Sequence, residues 1–271
     1  MTLFDIIIPV GPSDVSIITE QLLFTKKNVI GFRRIYLVCY DVINIRNNLS
    51  LLQKDDESIV LIDESIFPFH LQEIALYLGK NSRNGWYLQQ LLKLYSGIVI
   101  ASILDHYLVI DSDTFFLKPT TFVNYSNSSC LYNVGTEYHK PYFDHMKRLH
   151  YSFERYLPFS GICHHMMFET RLLVIMFDMV ELYHMSKDGT STCDVKKPFW
   201  QLYLEMIDKK EILFSGASEY EIYLNFLMGI NRHKIHIRHL LWKNINHSPH
   251  DSKEDLDLDL DYVSCHFYDR H

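Results

Sequence analysis

The sequence predicts an α/β fold organised around a parallel sheet, and three observations predict it. The chain opens on a β-rich apolar run, Phe4 to Val10, closed by Pro9, Gly11 and Pro12. Strand and helix patterns then alternate, as parallel βαβ units require. The strand pattern His106–Ile110 (HYLVI) runs directly into Asp111-Ser112-Asp113.

Taking the elements in order, Ser13 or Asp14 caps a helix expected over Val15–Lys27. Buried strands follow at Arg34–Cys39 and Ile59–Ile62. Residues 83–96 (RNGWYLQQLLKLYS) read as a helix, followed by an apolar stretch from Gly97 to Ile103. The second half is mixed. Short strands at Cys130–Thr136 and His165–Glu169 alternate with helices at Thr170–Ser186 and Ser218–Ile230, and late strands are expected at Lys234–Leu240 and Tyr262–Tyr268. Polar loops span 186–197 and 247–255. With 271 residues and no linker between the halves, one fused domain over 1–271 is expected, with a nucleotide-binding part over 1–119 and an acceptor-binding part over 120–271.

Composition narrows the function classes. Hydrophobic residues make up 48% of the chain, which excludes a disordered segment. The net charge of −7 and the lack of a large Lys/Arg cluster argue against nucleic acid as a partner. An acidic protein that binds a phosphorylated ligand needs a local positive charge, which a divalent cation supplies. The five cysteines, Cys39, Cys130, Cys163, Cys193 and Cys265, form no CxxC pair, so neither a disulfide framework nor a zinc knuckle is expected. A reducing, cytoplasmic setting follows from that pattern. The start MTLFDIIIPVGPSD reads as a first strand, not a signal peptide, and no apolar run is long enough to span a membrane.

The chemistry centres on Asp111 and Asp113. Ligands of open α/β sheets bind beyond the carboxyl ends of strands, where HYLVI delivers two carboxylates at i, i+2 spacing. Hard oxygen donors there suit Mn2+ (or Mg2+) on a diphosphate. The pattern recurs at Asp257-Leu258-Asp259, but that acidic repeat reads as a solvated edge. Only Asp111 and Asp113 follow a buried strand and precede an apolar run closed by a proline, TFFLKPTTF.

YLVIDSDTFFLKPTTF resembles the D-x-D segment of GT-A glycosyltransferases. GWYLQQLLKLY, SGICHHMMFE and SEYEIYLNF resemble, in the same order, a bacterial and viral group of GT-A-like proteins, over most of the chain from Phe4 to His266. The resemblance implies the GT-A fold, a nucleotide-sugar donor carrying UDP in the first instance, a divalent metal, and a carbohydrate or protein acceptor. It implies that Pro9, Val10, Gly11 and Asp14 lie at the base and ribose, and that Ser112 lies beside the donor. It also implies that a late histidine, His266, completes a metal shell with Asp111 and Asp113.

Other residues follow from spacing. Arg83, Trp86, Gln90 and Lys93 fall on one helix face, so Arg83 and Lys93 are candidate donor-phosphate contacts, while Trp86 reads as core. Gly161 permits close approach of backbone to a ligand. Neighbours in a strand point to opposite faces, so His164 and His165 cannot easily bind one ion; both are acceptor-side candidates, one of them as a hydrogen-bond donor to sugar hydroxyls. Glu219 and Glu221 suit the positive start of a helix capped by Ser218. Glu219 is also the expected general base of an inverting transfer, with Glu221 on the acceptor side; a retaining mechanism needs no such base. Two alternatives are a D-x-D phosphohydrolase, against which Phe115 stands four residues after Asp111, and a non-catalytic nucleotide-sugar-binding protein.

Overall fold

The computed structural model describes residues 3–49, 56–124, 126, 128–187, 196–231, 235–249 and 259–266. Cys193 and Asp257 lie outside the described residues, as does most of both polar loops. In chain order the first half holds β1 (Phe4–Val10), α1 (Ile18–Asn28), β2 (Val29–Ile30), β3 (Phe32–Cys39), α2 (Val42–Asn48), β4 (Ile59–Asp63), α3 (Leu71–Leu78), α4 (Asn84–Val99) and β5 (His106–Ile110). The second half holds β6 (Thr114–Phe116), β7 (Thr120–Thr121), β8 (Val123–Asn124), β9 (Ser129–Asn133), α5 (Lys140–Leu149), β10 (His165–Glu169) and α6 (Thr170–Lys187). It closes with α7 (Phe199–Glu205), α8 (Glu219–Asn231), β11 (His236–Arg238), β12 (Trp242–Asn244) and β13 (Tyr262–Ser264).

The main sheet has the order β10-β5-β1-β3-β4. β1, β3, β4 and β5 run parallel, and β10 closes one edge antiparallel to β5. Every residue of β1 is buried, as expected of a parallel strand covered on both faces. α4 packs on β1 and β5, and α6 and α8 pack on α4. One apolar cluster runs from Phe4 through both halves to Tyr262. Three small sheets complete the second half: β11-β9-β8, β12-β13-β6 and β2-β7.

Several expected boundaries move, among them β9, which ends at Asn133, and β13, which ends at Ser264; two of the shifts have plain local reasons. The first helix starts at Ile18 instead of Val15, because Pro12–Asp14 forms a 3-10 turn with Asp14 N–H donating to the Gly11 carbonyl. α4 continues to Val99 through Gly97, which the sequence placed after the helix. Gly97 is there for packing: a Cβ would collide with Thr170 and the Tyr107 ring. No helix among the described residues is long and apolar enough to cross a membrane.

Candidate active site at the sheet switch point

The chain leaves β1 for β3 on one side and returns to β5 on the other. The connections therefore diverge between β1 and β5, and such a switch point opens a crevice at the carboxyl ends of the strands. The segments bordering it are Pro9–Asp14 and Asp111–Asp113. Pro9 and Val10 are buried, and Gly11 and Asp14 are partly exposed. Ser112 Oγ donates to Asp14 Oδ2 at 2.6 Å, tying the two loops together. The Thr114 N–H donates to the Asp111 carbonyl at 3.0 Å, which folds the D-S-D segment into a turn.

β6 pairs antiparallel with β13 in the register Ser264↔Thr114. That register lays Cys265 and His266 beside Asp113, and the Cys265 N–H donates to the Asp113 carbonyl at 2.9 Å. Ser264 Oγ donates to Asp113 Oδ1 at 3.1 Å, and His266 Nδ1 lies 3.0 Å from Asp113 Oδ2. Asp113 and His266, far apart in sequence, thus meet through one short strand pair.

Asp111 sits in a buried charge cluster. Lys93 Nζ is 2.6 Å from both Asp111 Oδ1 and Glu219 Oε1. The Tyr220 hydroxyl donates to Asp111 Oδ1 at 2.8 Å, and the Lys93 ammonium lies 4.5 Å from the Tyr220 ring centroid. Burial disfavours charge on Asp111, yet the Lys93 ammonium and His164 hold its carboxyl well below the usual range. Burial also disfavours charge on Lys93, but Asp111 and Glu219 together raise its pKa. Burial raises the Glu219 pKa, against the opposing pull of Lys93. Burial and Asp111 push the Tyr220 hydroxyl well up, so it stays a donor. Three carboxylates (Asp111, Asp113, Glu219) against one ammonium (Lys93) leave two formal negative charges.

His164 adopts φ 60°, a left-handed conformation uncommon outside glycine. Its carbonyl accepts the Asp111 N–H at 2.9 Å, and its Nδ1 lies 3.6 Å from Asp111 Oδ2. The ring packs against His266 at 5.0 Å and Trp242 at 4.8 Å, and its Nε2 is buried without a hydrogen-bond partner.

The structure gives several expected site residues other work. His165 points to the core, ringed by Phe116, Phe122 and Tyr262 at 5.2, 5.3 and 4.9 Å. Glu221 accepts hydrogen bonds from Ser160 Oγ and Asn225 Nδ2, pinning the Ser160 turn to α8. Gly161 serves that packing: a Cβ there would stand 2.7 Å from the Tyr220 carbonyl oxygen. Arg83 shares the face of Lys93 but lies ten residues earlier, about 15 Å along the axis. Its guanidinium stacks on Trp86 and donates to the Phe214 carbonyl at 2.7 Å and Ser215 Oγ at 2.9 Å. Glu219 starts α8 as expected, is 4% exposed and is paired with Lys93. Tyr220, which sequence reasoning passed over, is the side chain of this motif that reaches Asp111.

Two predictions arise here. Gly161→Ala is expected to cost about 1–3 kcal/mol by overpacking against backbone, and to displace the start of α8, read as a lowered melting temperature. The second concerns acid. Burial lowers the pKa of His165 and of His145 to about 3, so both stay neutral in the fold. Unfolded histidine titrates near 6.5, about where the unfolded chain begins to bind the extra protons. Stability should therefore fall as pH drops from about 6.5 towards 3, by up to roughly 1.4 kcal/mol per pH unit per histidine. His165→Phe should flatten that slope in pH-dependent denaturation, and an unchanged slope would contradict it.

The model of a family of unknown function, DUF6492, matches residues 21–241. The chain belongs to this family. A comparison with curated proteins finds no match. Among solved structures, an active-site mutant of LgtC is similar to this DUF6492 chain at a TM-score of 0.52 and 10% identity, covering 96% of this chain and 86% of that one. The galactosyltransferase LgtC in complex with donor and acceptor sugar analogues gives 0.51 and 11%, with coverages of 96% and 86%. Mouse xyloside xylosyltransferase 1 in its apo form gives 0.48 and 9%, with 97% of each chain covered, too low to add to the assignment. The chain has the GT-A fold, with its D-x-D turn at the switch point of the sheet.

Proposed function

We propose that this protein is a glycosyltransferase that moves a sugar from a nucleotide-sugar donor, a UDP-sugar in the first instance, to a hydroxyl of a carbohydrate or protein acceptor. The observation that carries the reading is the placement of Asp111 and Asp113 directly after β5, at the switch point between β1 and β5, with His266 held against Asp113 by the β6/β13 pair. Two carboxylates and an imidazole suit Mn2+ (or Mg2+) by donor chemistry. His266 Nδ1 engages Asp113 in the arrangement described, and the three residues do not bring one ligand atom each within 4.8 Å of one another. Holding a cation therefore calls for His266 to rotate off Asp113. Bound there, the cation would supply Lewis acidity to the departing nucleoside diphosphate.

The chain's own residues have distinct parts in this reading. Pro9, Val10, Gly11 and Asp14 border the base and ribose, and Ser112 fixes Asp14 against the D-S-D turn. Lys93 and Tyr220 orient Asp111. Glu219 balances Lys93, so we reassign it from base to positioning residue. His164, with its buried, unpartnered Nε2, is the nearest candidate for contact with donor or acceptor hydroxyls. Glu219→Gln should then reduce nucleotide affinity and turnover together, because it disturbs Lys93 and Asp111. Loss of turnover alone would restore the base assignment. The phosphohydrolase reading lacks the Thr or Val it needs four residues after Asp111: Phe115 of β6 stands there, buried against Phe24 of α1.

The test is release of nucleoside diphosphate from a panel of UDP-, GDP- and dTDP-sugars with Mn2+. Release from one donor, raised by an acceptor glycan, supports transfer. Nucleotide binding with no release from any donor points to a non-catalytic binding protein.

A further inference from the structure

At the opposite end of β5, about 16 Å from Asp111 by strand rise, lies a second group of ligand-type side chains. His106 opens β5 and faces Glu169 across the antiparallel β5/β10 pair. Cys130 comes from β9, which packs on β10. One ligand atom from each of His106, Cys130 and Glu169 lies within 4.8 Å of the others. Among the described residues, no other trio of His, Cys, Asp or Glu converges this way.

We propose that His106, Cys130 and Glu169 form a binding site for a borderline thiophilic cation, Zn2+ in the first instance, which ties β5 and β10 of the main sheet to β9 of the second half. The donor set is one nitrogen, one sulfur and one oxygen, the mixture that Zn2+ takes in four-coordinate sites. Bonds of about 2.0–2.3 Å put tetrahedral ligand atoms roughly 3.3–3.8 Å apart. His106 Nε2 and Glu169 Oε2 already stand 3.6 Å apart, and rotamer adjustment closes the rest. Asp105 Oδ2 lies 3.9 Å from the other ring nitrogen, Nδ1, so a small side-chain shift would let it accept from that nitrogen and orient a metal-bound histidine.

Access and charge fit the same reading. The Cys130 thiol is nearly buried, while the side chains of His106 and Glu169 are 28% and 16% exposed. A cation thus enters from solvent past two ligands to reach the third. Burial first, then the negative charges of Glu169 and Asp105, push the thiol up to about 12. A divalent cation bound between these groups would displace the thiol proton to solvent. Arg171, 3.6 Å from Glu169 Oε2 and 71% exposed, answers part of that negative charge and is free to swing into solvent. The site was hidden in the sequence because its ligands come from three separate strands with no spacing motif.

The test uses the full chain, stripped with chelator and titrated with Co2+ as a spectroscopic stand-in for Zn2+. The expected result is a thiolate-to-cobalt charge-transfer band that saturates at one equivalent and is displaced by Zn2+. Cys130→Ser should abolish the band, and His106→Ala or Glu169→Gln should weaken Co2+ binding at least tenfold. Asp113→Ala should leave it unchanged, which separates this site from the proposed donor site. Zn2+ at about a hundred times its Kd should raise the melting temperature by roughly 5–10 °C. A wild-type chain with no thiolate band, or a band that survives Cys130→Ser, overturns the proposal. Should Cys130→Ser fail to fold, an undiminished affinity in both His106→Ala and Glu169→Gln overturns it equally.

Discussion

Asp113→Ala is expected to abolish Mn2+-dependent nucleotide binding and transfer while leaving the protein folded. Asp113 is partly exposed; on its loss the partly exposed His266 can turn to water, and the buried Ser264 hydroxyl keeps Thr114 Oγ1 at 3.4 Å. Its removal leaves Asp111, already engaged by Lys93 and Tyr220, as the sole carboxylate of the D-S-D turn. Loss of one of two charged ligands should lower metal affinity by at least a hundredfold. The diphosphate would then meet the remaining acidic pocket without a cation, and its affinity should fall with the metal. Calorimetric titration of a nucleoside diphosphate, with and without Mn2+, measures both losses. An Asp113→Ala protein that still binds nucleotide in a Mn2+-dependent way would contradict the assignment of Asp113 as a ligand.

Lys93→Met should produce the largest loss of stability of the substitutions considered. Lys93 is 3% exposed and bridges two carboxylates, so its removal leaves the buried Glu219 and the largely enclosed Asp111 without their ammonium partner. Breaking a buried pair in this way costs roughly 3–5 kcal/mol, on the order of 10 °C in melting temperature for a chain of this size. Adding Glu219→Gln should recover part of that loss, because one of the two stranded charges is removed. If the double variant is less stable than Lys93→Met alone, the Lys93–Glu219 pair is not the source of the effect.

How far these features were legible in the sequence depends on whether their cause is local. β5 and β10 appear with the boundaries expected, His106–Ile110 and His165–Glu169, because each is an apolar run cut off by polar neighbours. Asp111 and Asp113 were visible for the same reason: charge directly after a buried strand has few places to go. Strand alternation placed His164 and His165 on opposite faces, although β10 begins only at His165. It could not say which faces the crevice, since that depends on the left-handed backbone at His164. Helical period put Arg83 and Lys93 on one face but carried no information about depth along the axis, so Arg83 ends at the Phe214–Ser215 loop. An aromatic at the start of a helix reads as core, and Tyr220 is buried. Its hydroxyl reaches Asp111 only because α8 packs on α4 beside the strand end. α3, α5 and α7 were not anticipated, their apolar patterns being short and interrupted by polar residues. The pairing of β6 with β13, which seats His266, is tertiary and was not anticipated; only His266 itself was singled out, through the resemblance to GT-A enzymes.

The central claim is that the switch point between β1 and β5 holds a nucleotide-sugar through a divalent cation on Asp111, Asp113 and His266. The most direct measurement is a thermal-shift titration of the wild-type chain with UDP, GDP and dTDP, each with and without Mn2+, set beside Asp113→Ala and His266→Ala. A melting-temperature rise of several degrees with one nucleotide, present only with Mn2+ and lost in both variants, is the predicted result. A folded protein that no nucleotide stabilises in the presence of Mn2+, or a shift that both variants keep, would contradict the account.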